Sequence, residues 1–262
     1  MLGAIAGDVI GSVYEAHPIK TTDFPLLSPR CRFTDDTVLT VAVARAILED
    51  GDYVYAFRQY CRRWPDAGFG GKFFRWATGD NPEPYNSFGN GSAMRVSPVA
   101  YAFDAMDAVL GEAKRSAEVT HNHPEGVRGA QAVAGAVFLA RMGRTKDEIH
   151  AFVTERFAYD LGTPLTEIRP TYRFNVTCQG SVPQAMRAFL ESVDFESAIR
   201  LAVSLGGDAD TQASIAGAIA EPFYGGVPKP IADAVLAIVD DRMHPTIQRF
   251  RERYIDGRGG QE

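Results

Sequence analysis

Two clusters of oxygen-bearing side chains stand out, Thr34-Asp35-Asp36-Thr37 and Asp208-Ala209-Asp210-Thr211, each directly ahead of an apolar run. Carboxylate and hydroxyl oxygens are the ligands a hard divalent cation takes. A plainer role also fits, because Asp and Thr at a helix start cap free amides and complement the positive end of the helix dipole. The second cluster follows Gly206-Gly207, which permits a tight turn, and an Asp-x-Asp there can aim both carboxylates at one point. One cap does not need two acids. If the two helix starts face each other, five or six oxygens suffice for two Mg2+ ions about 3.5–4 Å apart, with Mn2+ as the alternative cation. Four bare carboxylates at such spacing repel one another, so their meeting implies a counter-ion.

Three further features sit near these clusters in chemistry, though not in sequence. Gly3, Gly7 and Gly11 repeat at four-residue spacing and let another helix approach one face of the first apolar segment. Asp8 and Glu15 lie on roughly one stripe of that segment, and Glu15 ends it ahead of Ala16-His17-Pro18, where a loop begins. Alone, Glu15 reads as a solvated acid. The loop Asn86-Ser87-Phe88-Gly89-Asn90-Gly91-Ser92 runs into a helix start, where amides freed by glycines suit a diphosphate, although Asn-Gly and Gly-Ser also mark ordinary turns. Phe88 and Tyr85 could stack on a base or simply pack. His121 and His123 flank Asn122 with no cysteine or third histidine nearby, so zinc is not indicated, and a hydrogen bond from one of them to phosphate is the more useful role.

Helices have to position these groups. The apolar spacing predicts helices over 2–16, 35–49, 53–63, 93–103, 104–119, 124–142, 146–157, 182–190, 195–204, 210–220 and 229–251, the last with a break at Pro245. Sustained period-two alternation is missing, so the expected fold class is all-α, a compact orthogonal helical bundle. The stretch from Trp64 to Ser92, rich in Gly, Pro and aromatics, reads as a long functional loop. With no internal repeat and no linker, a single domain over 1–256 is expected, followed by a flexible tail over 257–262.

Composition narrows the partners. The net charge of -6 lacks the basic stripe that phosphate neutralisation requires, so sequence-specific nucleic-acid binding is not expected. Cys31, Cys61 and Cys178 form no CxxC pair and are odd in number, which points to reduced thiols and a cytoplasmic setting. Asp8 interrupts the apolar start and no basic residue precedes it, so a signal sequence is not indicated; nor is any run long enough to span a membrane.

Taken in order, the pieces Gly3 to Glu15, Phe33 to Thr37, Gly89 to Arg95, Thr120-His121 and Gly206 to Thr211 resemble the ADP-ribosylglycohydrolase family over nearly the whole chain. That family includes the dinitrogenase reductase-activating glycohydrolases and the arginine- and serine-specific ADP-ribosylhydrolases. The resemblance implies an all-α fold with a binuclear magnesium cleft, ligated through Thr34, Asp35, Asp36, Asp208, Asp210 and Thr211. Tyr14-Glu15-Ala16-His17 is most similar to the serine-type branch, whose matching glutamate sits beside the metals on a movable loop and takes part in catalysis. Glu15 and Asp36 thereby become the catalytic candidates. Ser87, Phe88, Gly89, Asn90, Gly91 and His121 become substrate-binding candidates, the loop holding diphosphate, Phe88 lying beside the nucleotide and His121 touching phosphate or ribose. The segment Pro82-Glu83-Pro84 departs from the family pattern and leaves open which side chain covers the adenine.

The implied reaction is magnesium-dependent cleavage of the bond between ADP-ribose and an ADP-ribosylated protein or other acceptor, with ADP-ribose as product. Two vicinal ribose hydroxyls on the cations would fix the anomeric carbon, while Glu15 protonates the leaving group or deprotonates water. Three other readings compete: a silent ADP-ribose-binding module, a metal-dependent nucleotide phosphohydrolase, and a metal-free glycosidase with two carboxylates. An intact Glu15 and both Asp pairs weigh against the first, and the absence of a His-Asp dipeptide against the second.

Overall fold

The computed structural model describes residues 1–49 and 51–258. In chain order its helices are α1 (Leu2–Glu15), α2 (Asp35–Leu48), α3 (Tyr53–Arg63), α4 (Gly71–Thr78), α5 (Gly91–Met94), α6 (Ser97–Ala102), α7 (Met106–Glu118), α8 (Pro124–Arg141), α9 (Lys146–Phe157), α10 (Leu165–Thr171), α11 (Cys178–Glu191), α12 (Phe195–Val203), α13 (Ala209–Phe223), α14 (Lys229–Leu236) and α15 (His244–Tyr254), with a 3-10 turn at Asp256–Arg258. No β-strand forms among the described residues; one isolated bridge joins Gly89 to Thr177. The all-α architecture expected from the periodicity is the one the chain adopts.

At the centre lies α13, buried on every side from Ala209 to Glu221, as befits a helix with no polar face. α8, α11 and α12 pack around it, and α1 covers the remaining side. The glycine stripe of α1 makes that last contact backbone to backbone. A β-carbon on Gly3, Gly7 or Gly11 would lie 2.2, 2.1 or 2.5 Å from the carbonyl oxygens of Gly217, Ala213 and Ala209. The partners run backwards along α13, so the two helices are antiparallel, and the end of α1 that carries Glu15 meets the start of α13. Each glycine costs about 1 kcal/mol of helix propensity. Full burial of Ile5, Val9 and Ile10 offsets this with about 1.5–3 kcal/mol apiece. At the far end of the pair, buried Glu221 accepts the amide of Gly3 at 2.8 Å.

Several boundaries differ from the periodic reading, for local reasons. The stretch from Trp64 to Ser92 is not wholly loop, since Phe73, Trp76 and Ala77 give α4 a short buried stripe. The expected helix over 93–103 is two pieces, α5 and α6, with Pro98 in the first turn of the second, where its missing amide hydrogen is not needed. Pro245 likewise opens α15 instead of breaking a longer helix, so the interruption falls earlier, between Leu236 and His244. α10 was not anticipated; it starts after Pro164 and contains Pro170 within seven residues. Of the tail expected over 257–262, Gly257 belongs to the 3-10 turn, and 259–262 lie outside the described residues.

Candidate active site

The site assembles where the C-terminal end of α1, the start of α2 and the start of α13 converge. Thr34 is the N-cap of α2, its hydroxyl accepting from the Asp36 amide at 3.3 Å. Asp8, reaching across from α1, takes the Thr37 amide at 3.0 Å, the Thr34 amide at 2.9 Å and the Thr34 hydroxyl at 2.6 Å, as well as the Thr37 hydroxyl. The capping of α2 is thus done by Thr34 and Asp8, and the carboxylates of Asp35 and Asp36 are left for the cleft. At the start of α13, Asp208 occupies the N-cap position without a side-chain capping bond, so its carboxylate too is directed elsewhere.

The two remote clusters meet. Asp8, Asp36 and Asp210 bring a carboxylate oxygen each to within 4.8 Å of one another, and so do Glu15, Asp208 and Asp210. Asp210 belongs to both groups. The Thr211 hydroxyl donates to Asp36 Oδ2 at 3.3 Å, across the junction of α13 with α2. Asp36 Oδ1 is buried with no hydrogen-bond partner. Asp35 is half-buried and lines the same cleft, outside both close groups. Asp8 differs from the rest because its Oδ2 already receives three donors, so it serves better as the acid that orients α2 than as a cation ligand.

Such crowding shows in the acidities. Burial, then Asp210 and Asp8, raise the Asp36 carboxyl well above the usual range. Asp210 is raised by burial, then by Asp208 and Glu15, and Asp35 is pushed up to about 8 by burial, then by Asp8 and Asp208. Glu15 is raised by burial first and by Asp208 next. Burial pushes Asp8 up while its bonds from Thr34 and Thr37 pull it back. Bare carboxylates held this way lack the positive charge they need, and an all-oxygen set with an orphaned Asp36 oxygen fits hard divalent cations.

The cleft has a volume of about 380 Å3 and runs from the acids to the glycine loop. Ser87, Gly89, Asn90, Gly91 and His121 all line it. Asn90 joins the two ends, donating from Nδ2 to Asp208 Oδ2 at 2.7 Å and to Ser181 at 3.1 Å. The loop is pinned from the 176–178 segment: the Asn90 amide donates to the Val176 carbonyl at 2.8 Å and the Cys178 amide to the Phe88 carbonyl at 3.0 Å. The Gly89 amide donates to Ser87 Oγ at 3.2 Å, so two loop amides are already engaged inside the protein.

Phe88 lies elsewhere: its ring is 45% exposed, packs 5.4 Å from His123 and is not part of the cleft wall. The aromatic residues on that wall are Phe73, Tyr85 and Phe174. His123 accepts the Glu125 amide as N-cap of α8, well separated in role from His121. Thr34 is buried beneath the acids with its hydroxyl shared between Asp8 and Asp36. Sequence reasoning noted Asp8 on the Glu15 stripe but missed its capping of α2, and it missed Asn90's bridge to Asp208 and the Phe73 and Phe174 walls; a lone acid among the buried, apolar residues 2–13 of α1 was the signal for the Asp8 role.

Comparison with known proteins bears on this geometry. The model of the family described as ADP-ribosylglycohydrolase matches residues 1–259. ADP-ribosylhydrolase ARH3 of Homo sapiens is 28% identical, the match covering 86% of this chain and 84% of that protein. ADP-ribosylarginine hydrolase Tri1 of Pseudomonas putida is 27% identical over 86% of this chain and 69% of its own length. A solved structure, an ADP-ribosylglycohydrolase-related protein complex, superposes with a TM-score of 0.67 at 27% identity, covering 92% of this chain and 96% of that one.

Proposed function

The chain belongs to the ADP-ribosylglycohydrolase family, a family of hydrolytic enzymes, and from that membership we propose that its cleft hydrolyses the bond between the terminal ribose of ADP-ribose and an ADP-ribosylated acceptor, with magnesium at the acidic end. One observation carries the reading: acids suited to divalent cations and a glycine loop suited to a diphosphate line one cleft, joined through Asn90. ADP-ribose carries a vicinal diol at one end of a diphosphate, and this is the order in which the cleft presents its chemistry.

Asp35, Asp36, Asp208 and Asp210 would hold the cations, with Thr34 and Thr211 contributing through their hydroxyls. When bound, the cations would neutralise the acid cluster and fix the ribose diol as Lewis acids. The remaining work falls to the protein. Asn90 keeps the Asp208 carboxylate at a set angle, and the loop from Ser87 to Gly91 with His121 would seat the diphosphate. As the glycosidic bond lengthens, positive charge develops at the anomeric carbon, and Asp36 and its neighbours stabilise it electrostatically. Water adds its oxygen to that carbon, and the departing acceptor atom gains a proton. Glu15, at the exit of α1 with its pKa raised by burial and then by Asp208, would move one of these protons. Three free cysteines suit a reducing cytoplasm; among the described residues no helix is long and apolar enough to cross a membrane.

The test is release of free ADP-ribose from ADP-ribosyl-arginine and ADP-ribosyl-serine peptides, with chelator and with magnesium restored. Release from at least one peptide that stops on chelation and resumes with magnesium is expected. Tight ADP-ribose binding without release from either would leave a silent binding module, and undiminished release after complete chelation would favour a metal-free glycosidase.

A further inference from the structure

Arg95 and Thr120 have no part in the chemistry above, yet both are completely buried beside the glycine loop. The Arg95 guanidinium lies 4.1 Å over the ring of Phe57 and 5.9 Å from that of Phe73, and no carboxylate pairs with it among the described residues. Its Nη2 donates to the Thr120 hydroxyl at 2.8 Å and to the Ser116 carbonyl at 3.3 Å, while Nε and Nη1 have no partner. The same Thr120 hydroxyl lies 2.7 Å from His121 Nδ1.

These contacts have a direction. A guanidinium can only donate, so the Thr120 oxygen accepts from Arg95 and keeps one proton of its own to place. Among the described residues, His121 Nδ1 is the one acceptor within reach of that proton. If Nδ1 instead carried the hydrogen, the buried hydroxyl would have nowhere to donate. An accepting Nδ1 leaves the ring's single proton on Nε2. On that side the ring faces the loop: a β-carbon on Gly89 or Gly91 would come 3.6 or 3.2 Å from Nε2. Burial, and Arg95 next, hold His121 well below its usual range, which keeps the ring neutral. With the Gly89 and Asn90 amides already engaged, Nε2 is a side-chain donor in place for an anion over the loop.

We propose that Arg95 and Thr120 are positioning residues that fix His121 as a neutral Nε2–H donor aimed at a diphosphate oxygen held over Gly89 and Gly91. The identity of the ligand rests on the ADP-ribose reading above; the direction of the proton relay rests on Arg95 and Thr120 alone. Asp8, the other buried group that orients a neighbour, acts at the opposite end of the cleft and does not touch this relay.

The full chain labelled with 15N at its histidines decides the matter by long-range proton–nitrogen correlation, with His121 assigned by its loss in His121→Asn. The expected His121 pattern is protonated Nε2 and bare Nδ1, unchanged between pH 6 and 8. Thr120→Val, which keeps the shape and removes the hydroxyl, should give mixed tautomers and weaken ADP-ribose binding about tenfold or more. Thr120→Ser should restore both the pattern and the affinity, which a mere packing role for Thr120 would not require. A protonated Nδ1 or a charged ring in the unsubstituted protein overturns the relay, as does a Thr120→Val spectrum identical to it. A protein that shows the Nε2–H form but binds no ADP-ribose overturns the ADP-ribose reading and the assigned ligand, while the relay's direction stands.

Discussion

Asp210 reaches both groups of clustered acids, whereas Asp208 and Asp36 each reach one. A neutral side chain at 210 therefore disturbs both halves of the centre. Asp210→Asn is expected to weaken magnesium affinity more than Asp208→Asn, and isothermal titration of the two variants checks this; equal losses would show that the shared position carries no special weight. Glu15 stands apart by its place at the mouth of the group. An amide there keeps the volume but neither charge nor proton-transfer capacity. Glu15→Gln is expected to lower kcat by about 10^2–10^4-fold with ADP-ribose Kd changed only a few-fold. Full activity in this variant would remove Glu15 from the mechanism.

Among the elements, the pairing of α1 with α13 matters most, because it brings residues 8–15 against 208–211. The separation is set by carbonyl oxygens, which cannot rotate away as side chains can. Gly7→Ala would place a methyl 2.1 Å from the Ala213 carbonyl oxygen, and a loss of about 3 kcal/mol or more is expected, together with lost activity as the two helix ends part. Gly111→Ala in α7, with nothing within 4 Å of the added carbon, should be neutral or stabilising by up to about 1 kcal/mol. Urea unfolding of both variants compares them directly; similar midpoints would contradict the backbone contact. The glycine spacing and the two acid clusters were legible in the sequence because each is a local pattern. α4 was not, since Gly70 gives no side-chain cap and only two turns of apolar stripe follow. The role of Asp8 was not either, because an acid serving the next helix looks like a break in its own.

For the molecule as a whole, the buried acids set a pH dependence. Asp35 is held up to about 8 and Asp36 and Asp210 are also raised, so the metal-free fold binds more protons than the unfolded chain above the ordinary carboxylate range. Stability contributed by these groups is full below about pH 4 and is lost as pH climbs toward 8. Divalent cations act in the opposite sense by neutralising the ionised cluster. The rise in Tm on adding magnesium to chelated protein should consequently be larger at pH 8 than at pH 5, and an equal rise at both would argue that the acids do not bind it.

The antiparallel seating of α1 on α13 also constrains how the protein is born. A chain made from its amino end exposes the apolar α1 well before its partner stretch, 209–223, leaves the ribosome. Until then neither half of the acid cluster has the other, so the nascent polypeptide carries a sticky, unpartnered α1 and no competence for catalysis. Ribosome-bound intermediates stalled before residue 209 would need shielding by a chaperone, and would be inert.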